Sequence, residues 1–218
     1  MVKNSLFALL MVPALVAAAD RVGDFSLLDQ DGYHHGMSWY DDHKAIAFLV
    51  QANDSDSFAA TVLKFNELKV KYDEAGIEFM MINPMGRSNR EAVKQKVAEY
   101  DVQIPVLMDD ARIVSEALGR ERIEEVILFD PRRFTVEFRG PVGSAGKAIQ
   151  QILADEAILP KTVTTAGKVI TYAAKVSPSY VADVAPVLAE QCATCHREGG
   201  VAPFAMDSHT MVLSSWEL

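Results

Sequence analysis

Three short runs constrain what this chain can fold into: KAIAFLV at 44–50, IEFMMIN at 77–83 and EVILFD at 125–130. Each is almost continuously apolar and too short for a helix, the pattern of a strand buried on both faces. A sheet of such strands needs cover on both sides, and the sequence between them supplies it. Phe58, Val62, Phe65, Leu68 and Tyr72 recur every three or four positions within 57–76, which predicts a helix closed by Gly76. A second helix is expected from Ser88 or Asn89 to Tyr100, a third over 111–118 before Gly119, and a fourth over 145–155. Residues 24–28 read as a short strand before a turn at 29–32, and 101–109 as an extended segment ending in a turn. A hairpin turn at 131–133 leads to a partner strand at 135–139. Strands joined by helical crossovers, with one late hairpin, give an α/β chain with a mixed central sheet flanked by helices.

Half of the 218 residues are hydrophobic, enough for one full domain and a small second one. The net charge of −9 argues against nucleic acid or an anionic membrane surface as partner. Residues 1–19 read as a secretory signal: Lys3, an apolar run at 6–12, Pro13, and Ala17, Ala18 and Ala19 before Asp20. An uncleaved anchor is the alternative, but the run falls short of the roughly 20 residues a span needs. The mature chain is therefore expected to be periplasmic or secreted, without stable membrane insertion.

The only two cysteines, Cys192 and Cys195, stand with His196 as C-x-x-C-H, the attachment signature of a c-type haem. Two thiols at this spacing can each form a thioether to a haem vinyl group, and the next residue brings an imidazole to the iron as proximal ligand. Covalent haem c is the expected cofactor. The competing readings are a structural disulfide, a thioredoxin-type redox pair and half a zinc site. A zinc site would need ligands beyond His209. A redox pair belongs after a first strand, at a helix N-terminus. Upstream, 160–178 reads as a Thr-rich linker with a possible short strand at 169–172. Residues 179–191 then form an amphipathic helix with Tyr180, Val184, Val187 and Leu188 on one face and a kink at Pro186. Met206, His209 and Met211 are the nearby candidates for a second axial ligand, and Met206 is carried as the distal candidate although core packing is its plainer reading.

Tyr33, His34, His35, Met37, Asp41, Asp42 and His43 form the densest ligand-capable patch outside that motif, and such groups can bind copper or zinc. They fall between the first two strands, so a solvated loop is the expectation. Asp109 and Asp110 are expected to make a turn and a helix cap, not an acid–base pair. Met80, Met81, Met85 and Met108 are expected to fill the core.

In this order and spacing, residues 22–159 resemble a redoxin, the thioredoxin-fold family that includes AhpC/TSA peroxiredoxins and thiol–disulfide proteins. The resemblance rests on FSLLDQDG at 25–32, on the strand at 45–50 followed by a loop and a long helix, and on IPVLMD at 104–109. It implies a thioredoxin-like fold, with a catalytic cysteine in that loop where the helix dipole lowers its pKa. Here the stretch 51–58 reads QANDSDSF and has no thiol. Ser55 is expected in the cysteine's place, with Asp54 and Asp56 as capping acceptors. The family's proline before the hairpin strand is also missing, and Glu124 is expected at its position. The resemblance thus implies a redoxin domain over 20–159 with no catalytic residue, serving as a scaffold or docking module.

Residues 179–218 resemble the start of a cytochrome c domain. The continuation REGGVAPFAM at 197–206 resembles the haem-motif region of bacterial proteins that join a redoxin, a cytochrome-like segment and a copper-monooxygenase-like region. That implies a short, mostly helical, partial haem-attachment segment, a chain that continues or a partner that completes the haem wall, and electrons delivered to a redox partner or a downstream copper-monooxygenase-like region. Three functions remain open at this point. The first is exported electron transfer through haem c. The second is a thiol–disulfide or peroxide-linked oxidoreductase using Cys192 and Cys195 as a dithiol. The third is copper binding through His34, His35 and His43.

Overall fold

The computed structural model describes residues 20–51, 58–84, 90–101, 103–119, 122–170 and 179–214. Its strands are β1 (Asp20–Arg21), β2 (Ser26–Leu28), β3 (His34–Gly36), β4 (Ala45–Val50), β5 (Ile77–Asn83), β6 (Val106–Met108), β7 (Glu125–Asp130) and β8 (Thr135–Pro141). The helices of the first unit are α1 (Phe58–Tyr72), α2 (Arg90–Tyr100), α3 (Ile113–Ala117) and α4 (Val142–Leu153). The main sheet has the order β1-β8-β7-β4-β5-β6, and β2 and β3 form a separate hairpin. β4 pairs parallel with β5 and antiparallel with β7, so the sheet is mixed, as the crossovers and the late hairpin require.

Every residue of β4 is buried, because both faces of the sheet are covered. Ala45, Ala47 and Leu49 enter one core with Phe58, Val62 and Phe65 of α1, Val93 of α2 and Ile149 of α4. Ile46, Phe48 and Val50 enter the other with Met37, Val114, Leu118 and Phe129, and Phe25, Leu27 and Tyr40 pack against it. The expected core methionines Met80, Met81 and Met108 are buried. Met85 and the cap positions Ser88 and Asn89 lie outside the described residues, as does the signal expected at 1–19. Among the described residues, no helix is long and apolar enough to cross a membrane.

Two helices begin elsewhere than the periodicity predicts. α4 starts at Val142 because Pro141, extended with φ −68° and ψ 154°, ends the strand and launches the helix directly. α3 starts only at Ile113 because Arg112 adopts a left-handed φ of 62°. The buried Asp109 carboxylate then accepts the Ser115 backbone amide at 2.5 Å, the capping role expected for this turn.

The chain divides into two units, Met1–Ile170 and Thr171–Leu218. The linker expected at 160–178 is, over 161–170, an ordered strap on the first unit. The Arg139 amide donates to the Lys161 carbonyl and the Val163 amide to the Arg139 carbonyl, both at 2.8 Å. Farther along, the Ile123 amide donates to the Lys168 carbonyl at 3.1 Å and Arg122 Nη1 to the Gly167 carbonyl at 2.9 Å. Val163 packs on the first core and Ile170 on the second. Val169, at the start of the possible strand at 169–172, makes a bridge to Arg122, and 171–178 lie outside the described residues.

The second unit is helical from Tyr180 to Cys192, then turns through 193–208 into a last described helix, His209–Ser214. The predicted kink at Pro186 takes the form of widened turns. Pro186 has no N–H to donate, and π-helical turns at Tyr180–Val184 and Leu188–Cys192 flank the short α-helical Ala185–Val187.

Gly167 makes the strap's close approach possible, since a Cβ there would lie 1.9 Å from the Ile123 carbonyl oxygen. Gly167→Ala is therefore expected to destabilise the first unit by about 1–3 kcal/mol. Gly143→Ala, in α4 with nothing within 4 Å of the added Cβ, should stabilise it by about 0.4–1 kcal/mol. Urea unfolding of the two variants checks both signs.

Candidate functional site

The redoxin-type site would lie where β4 ends, α1 begins and the chain enters β7. Gln51, just past β4, and Asn83, the last residue of β5, are both fully buried. Asn83 Nδ2 donates to Gln51 Oε1, so each amide spares the other the cost of an unmet hydrogen bond in the interior. Glu124 precedes β7, where the resemblance placed it. Its backbone is left-handed, with φ 65°, a conformation costly for a residue with a Cβ. Two contacts hold it there: its amide donates to the Val50 carbonyl at 3.0 Å, and Thr61 Oγ1 on α1 donates to its carboxylate at 3.0 Å. A proline could not make the first of these bonds. Amides, a hydroxyl and a carboxylate can accept and donate hydrogen bonds, but none can form the thiolate that thiol–disulfide chemistry needs. Ser55, the expected stand-in for the cysteine, lies outside the described residues together with Asp54 and Asp56.

The second constellation is in the other unit. Cys192, half-buried, and Cys195, exposed, are both free thiols. The motif is a tight turn: the Cys195 and His196 amides donate to the Cys192 carbonyl at 3.1 and 2.9 Å. Gly199, with φ 71°, and Gly200 then fold the chain back. A Cβ at Gly200 would lie 2.3 Å from the Cys195 carbonyl oxygen, so no other residue fits without opening the turn. The returning chain is fastened by the Met206 amide on the His196 carbonyl at 2.7 Å and the Glu198 amide on the Asp207 carboxylate at 2.8 Å. This brings the Phe204 carbonyl to 3.1 Å from His196 Nδ1, with the Phe204 ring 4.5 Å from the imidazole. A carbonyl only accepts, so Nδ1 carries the proton and Nε2 keeps the lone pair. Of the residues singled out in sequence, Cys192, Cys195, His196 and Met206 therefore share one loop. His209 lies against Tyr180, ring centroids 4.4 Å apart.

The histidine-rich patch is largely solvent-facing, with Tyr33, His34, Asp41 and Asp42 exposed, but it is not all loop. His34 and His35 lie in β3, and residues Met37–Tyr40 form a 3₁₀ turn. Both ring nitrogens of His35 are engaged, Nδ1 with the Tyr40 hydroxyl at 2.8 Å and Nε2 with Asp29 at 3.1 Å. His43 Nδ1 meets Asp42 at 2.6 Å, and the His34 ring rests on Trp39. Among the described residues, no three His, Cys, Asp or Glu side chains are grouped so as to hold a metal ion. Burial, reinforced by the carboxylates of Glu78 and Asp29, holds the Tyr40 phenol above its usual pKa. Sequence reasoning missed the Asp29–His35–Tyr40 contact, because separations of six and five residues match no periodicity. It missed the Phe204 carbonyl too, because a backbone acceptor leaves no mark in residue type. The Gly199-Gly200 pair was the available signal for the returning chain.

The AhpC/TSA family profile matches residues 18–139. No curated protein matches the sequence. Among solved structures, a hypothetical protein from Sinorhizobium meliloti is similar at 19% identity and a TM-score of 0.63, covering 73% of this chain and 97% of its own. An uncharacterized conserved protein from Geobacillus kaustophilus is similar at 18% identity and a TM-score of 0.63, covering 77% of this chain and 100% of its own. A thiol:disulfide interchange protein of the thioredoxin family from Chlorobium tepidum is similar at 15% identity and a TM-score of 0.53, covering 63% and 98%. These likenesses show the thioredoxin-like fold.

If the loop before β7 has re-formed around a residue with an amide proton, restoring the redoxin-type residue should harm it. Glu124→Pro forces φ from positive to about −65° and removes the bond to Val50, and should cost about 3 kcal/mol or more. Thermal unfolding of the variant beside the parent measures this.

Proposed function

Because the chain belongs to the AhpC/TSA family yet both of its cysteines lie outside the redoxin unit, we propose that it is an exported electron-transfer protein holding haem c through Cys192, Cys195 and His196. The observation that carries this reading is the bond between His196 Nδ1 and the Phe204 carbonyl. Metal-ligating histidines are typically oriented in this way, with one ring nitrogen donating to a carbonyl so that the other is aimed and made more basic. Haem bound there would supply a one-electron iron couple. The chain's own part is to tether and orient. Cys192 and Cys195 would hold the group as thioethers to its two vinyl substituents, and His196 Nε2 would be the proximal iron ligand. The fold-back at Gly199 and Gly200 keeps the imidazole from rotating.

Met206 is the distal candidate in this reading. Its amide sits on the His196 carbonyl, which keeps it in the same loop as the proximal histidine, and its thioether would be the candidate for the second axial position. Val181, Val187 and Val201 are exposed in the same unit, apolar surface of the kind that a haem edge or a redox partner covers. That partner is a separate redox protein or a copper-monooxygenase-like region. The redoxin unit, without a thiol, serves as scaffold or docking module. The rival reading, a dithiol oxidoreductase, is favoured by the exposure of Cys195 within one turn of Cys192.

Production in cells with a haem-attachment system discriminates. The expected result is a mass gain of one haem and a pyridine haemochrome band, both lost in the Cys192→Ala/Cys195→Ala protein. Gly200→Val, which opens the turn that holds His196, should lower haem incorporation while leaving the redoxin unit's unfolding unchanged. Colourless protein whose two thiols reduce a disulfide substrate with turnover would overturn the proposal in favour of the dithiol.

A further inference from the structure

Asp29, His35 and Tyr40 form a continuous hydrogen-bonded chain beside the second core. Asp29 is 5% exposed, and its Oδ1 accepts the amides of Asp31 and Tyr33, both at 2.9 Å. Its Oδ2 lies 3.1 Å from His35 Nε2, and the opposite nitrogen, Nδ1, lies 2.8 Å from the Tyr40 hydroxyl. The His35 and Tyr40 rings are within 7° of parallel. The direction of the chain follows from its end. An ionised carboxylate only accepts, so His35 Nε2 carries the proton, and in the neutral ring Nδ1 is then the acceptor for the Tyr40 O–H. The phenol thus faces a built-in base whose protonated form is stabilised by a buried carboxylate.

Such a relay serves either acid–base catalysis on a bound substrate or proton-coupled electron transfer. The groove of about 440 Å³ in this unit is lined by Gln30, Asp31, Lys94 and Gln103 among others, but by neither His35 nor Tyr40. Electron transfer needs no substrate cavity, only a ring fixed close to the surface. Tyr40 is half-buried against the second core, and Trp39, its neighbour in the chain, is 65% exposed.

We propose that Tyr40 is a redox-active tyrosine that gives up one electron while its hydroxyl proton passes to His35 Nδ1. The electron goes to a high-potential one-electron oxidant, of the class of metal–oxygen species or oxygen-centred radicals. The products are a neutral phenoxyl radical and an imidazolium held by Asp29. A one-electron donor reverses the step: the electron returns to the ring and the proton to its oxygen. A phenol is protonated at neutral pH, and burial of Tyr40 shifts it further in that direction, so the proton is present to be moved. The relay lies wholly within the redoxin unit, and the inference stands whether or not haem is attached to the other.

The full-length protein is oxidised with photogenerated ruthenium(III) tris-bipyridine and followed by electron paramagnetic resonance and transient absorption. A neutral tyrosyl radical is expected, formed with a solvent deuterium isotope effect. Although the chain has six tyrosines, the signal should vanish in Tyr40→Phe and persist in Tyr100→Phe. His35→Phe, which removes the proton acceptor but keeps a planar ring, should slow radical formation roughly tenfold and abolish the isotope effect. No radical in the parent, a radical that survives Tyr40→Phe, or parent-like kinetics in a folded His35→Phe protein overturns the inference.

Discussion

The architecture depends on the complete burial of β4. A strand with one wet face asks for one layer of cover. This one sends Ala45, Ala47 and Leu49 to one side and Ile46, Phe48 and Val50 to the other, and so asks for two. The helices α1, α2 and α4 close the first side. The β2–β3 hairpin, the 3₁₀ turn at Met37–Tyr40 and α3 contribute to the second. Ala45 and Ala47 lie in the first core with residues of α1 and α4, while Phe48 and Phe129 fill the second, ring centroids 6.1 Å apart. Both polar features of the first unit follow from this arrangement. Gln51 and Asn83 are buried because they continue strands that are buried, and Tyr40 is fixed because its ring helps to cover the second core.

The strands and long helices were legible in the sequence because burial on two faces and burial on one face leave different periods. KAIAFLV reads as a strand since nothing in it faces water, and Phe58, Val62 and Phe65 read as a helix since only one side is dry. What escaped was whatever is held by backbone atoms. The strap at 161–170 has a linker's composition, yet its amides and carbonyls pair with Arg139 and Ile123, and backbone pairing is nearly indifferent to side-chain type. Its one legible trace is Gly167, required by close approach rather than by a turn. β3 escaped for another reason: three residues are too few for an alternation to emerge, and two adjacent histidines look solvated whether or not one is committed inward.

The entry to β7 shows how a residue other than proline is held at that position. The family's proline has no amide to offer, whereas Glu124 donates one to Val50 and accepts the Thr61 hydroxyl. These bonds offset the left-handed backbone, which by itself costs on the order of 1–2 kcal/mol. The polar groups at this end of the sheet are thus mutually satisfied, while the surrounding packing is set by β4 and its neighbours.

Thiol–disulfide chemistry moves electrons in pairs, because a sulfur–sulfur bond is made or broken whole. The redoxin unit holds neither of the chain's two cysteines, and the two arrangements proposed above would each move single electrons. A histidine whose Nδ1 proton is pinned by a carbonyl can hold an iron that changes charge by one. A phenol whose proton has an acceptor at 2.8 Å can lose one electron without building up charge on its ring. The two arrangements sit in different units and share no residue, yet as proposed they would meet the same physical requirement. In each, a hydrogen bond settles beforehand where the proton is, so that moving the electron requires little rearrangement of the groups around it. The other histidines are placed differently: His43 lies between the carboxylates of Asp42 and Glu78, and His34 and His209 lie on aromatic rings.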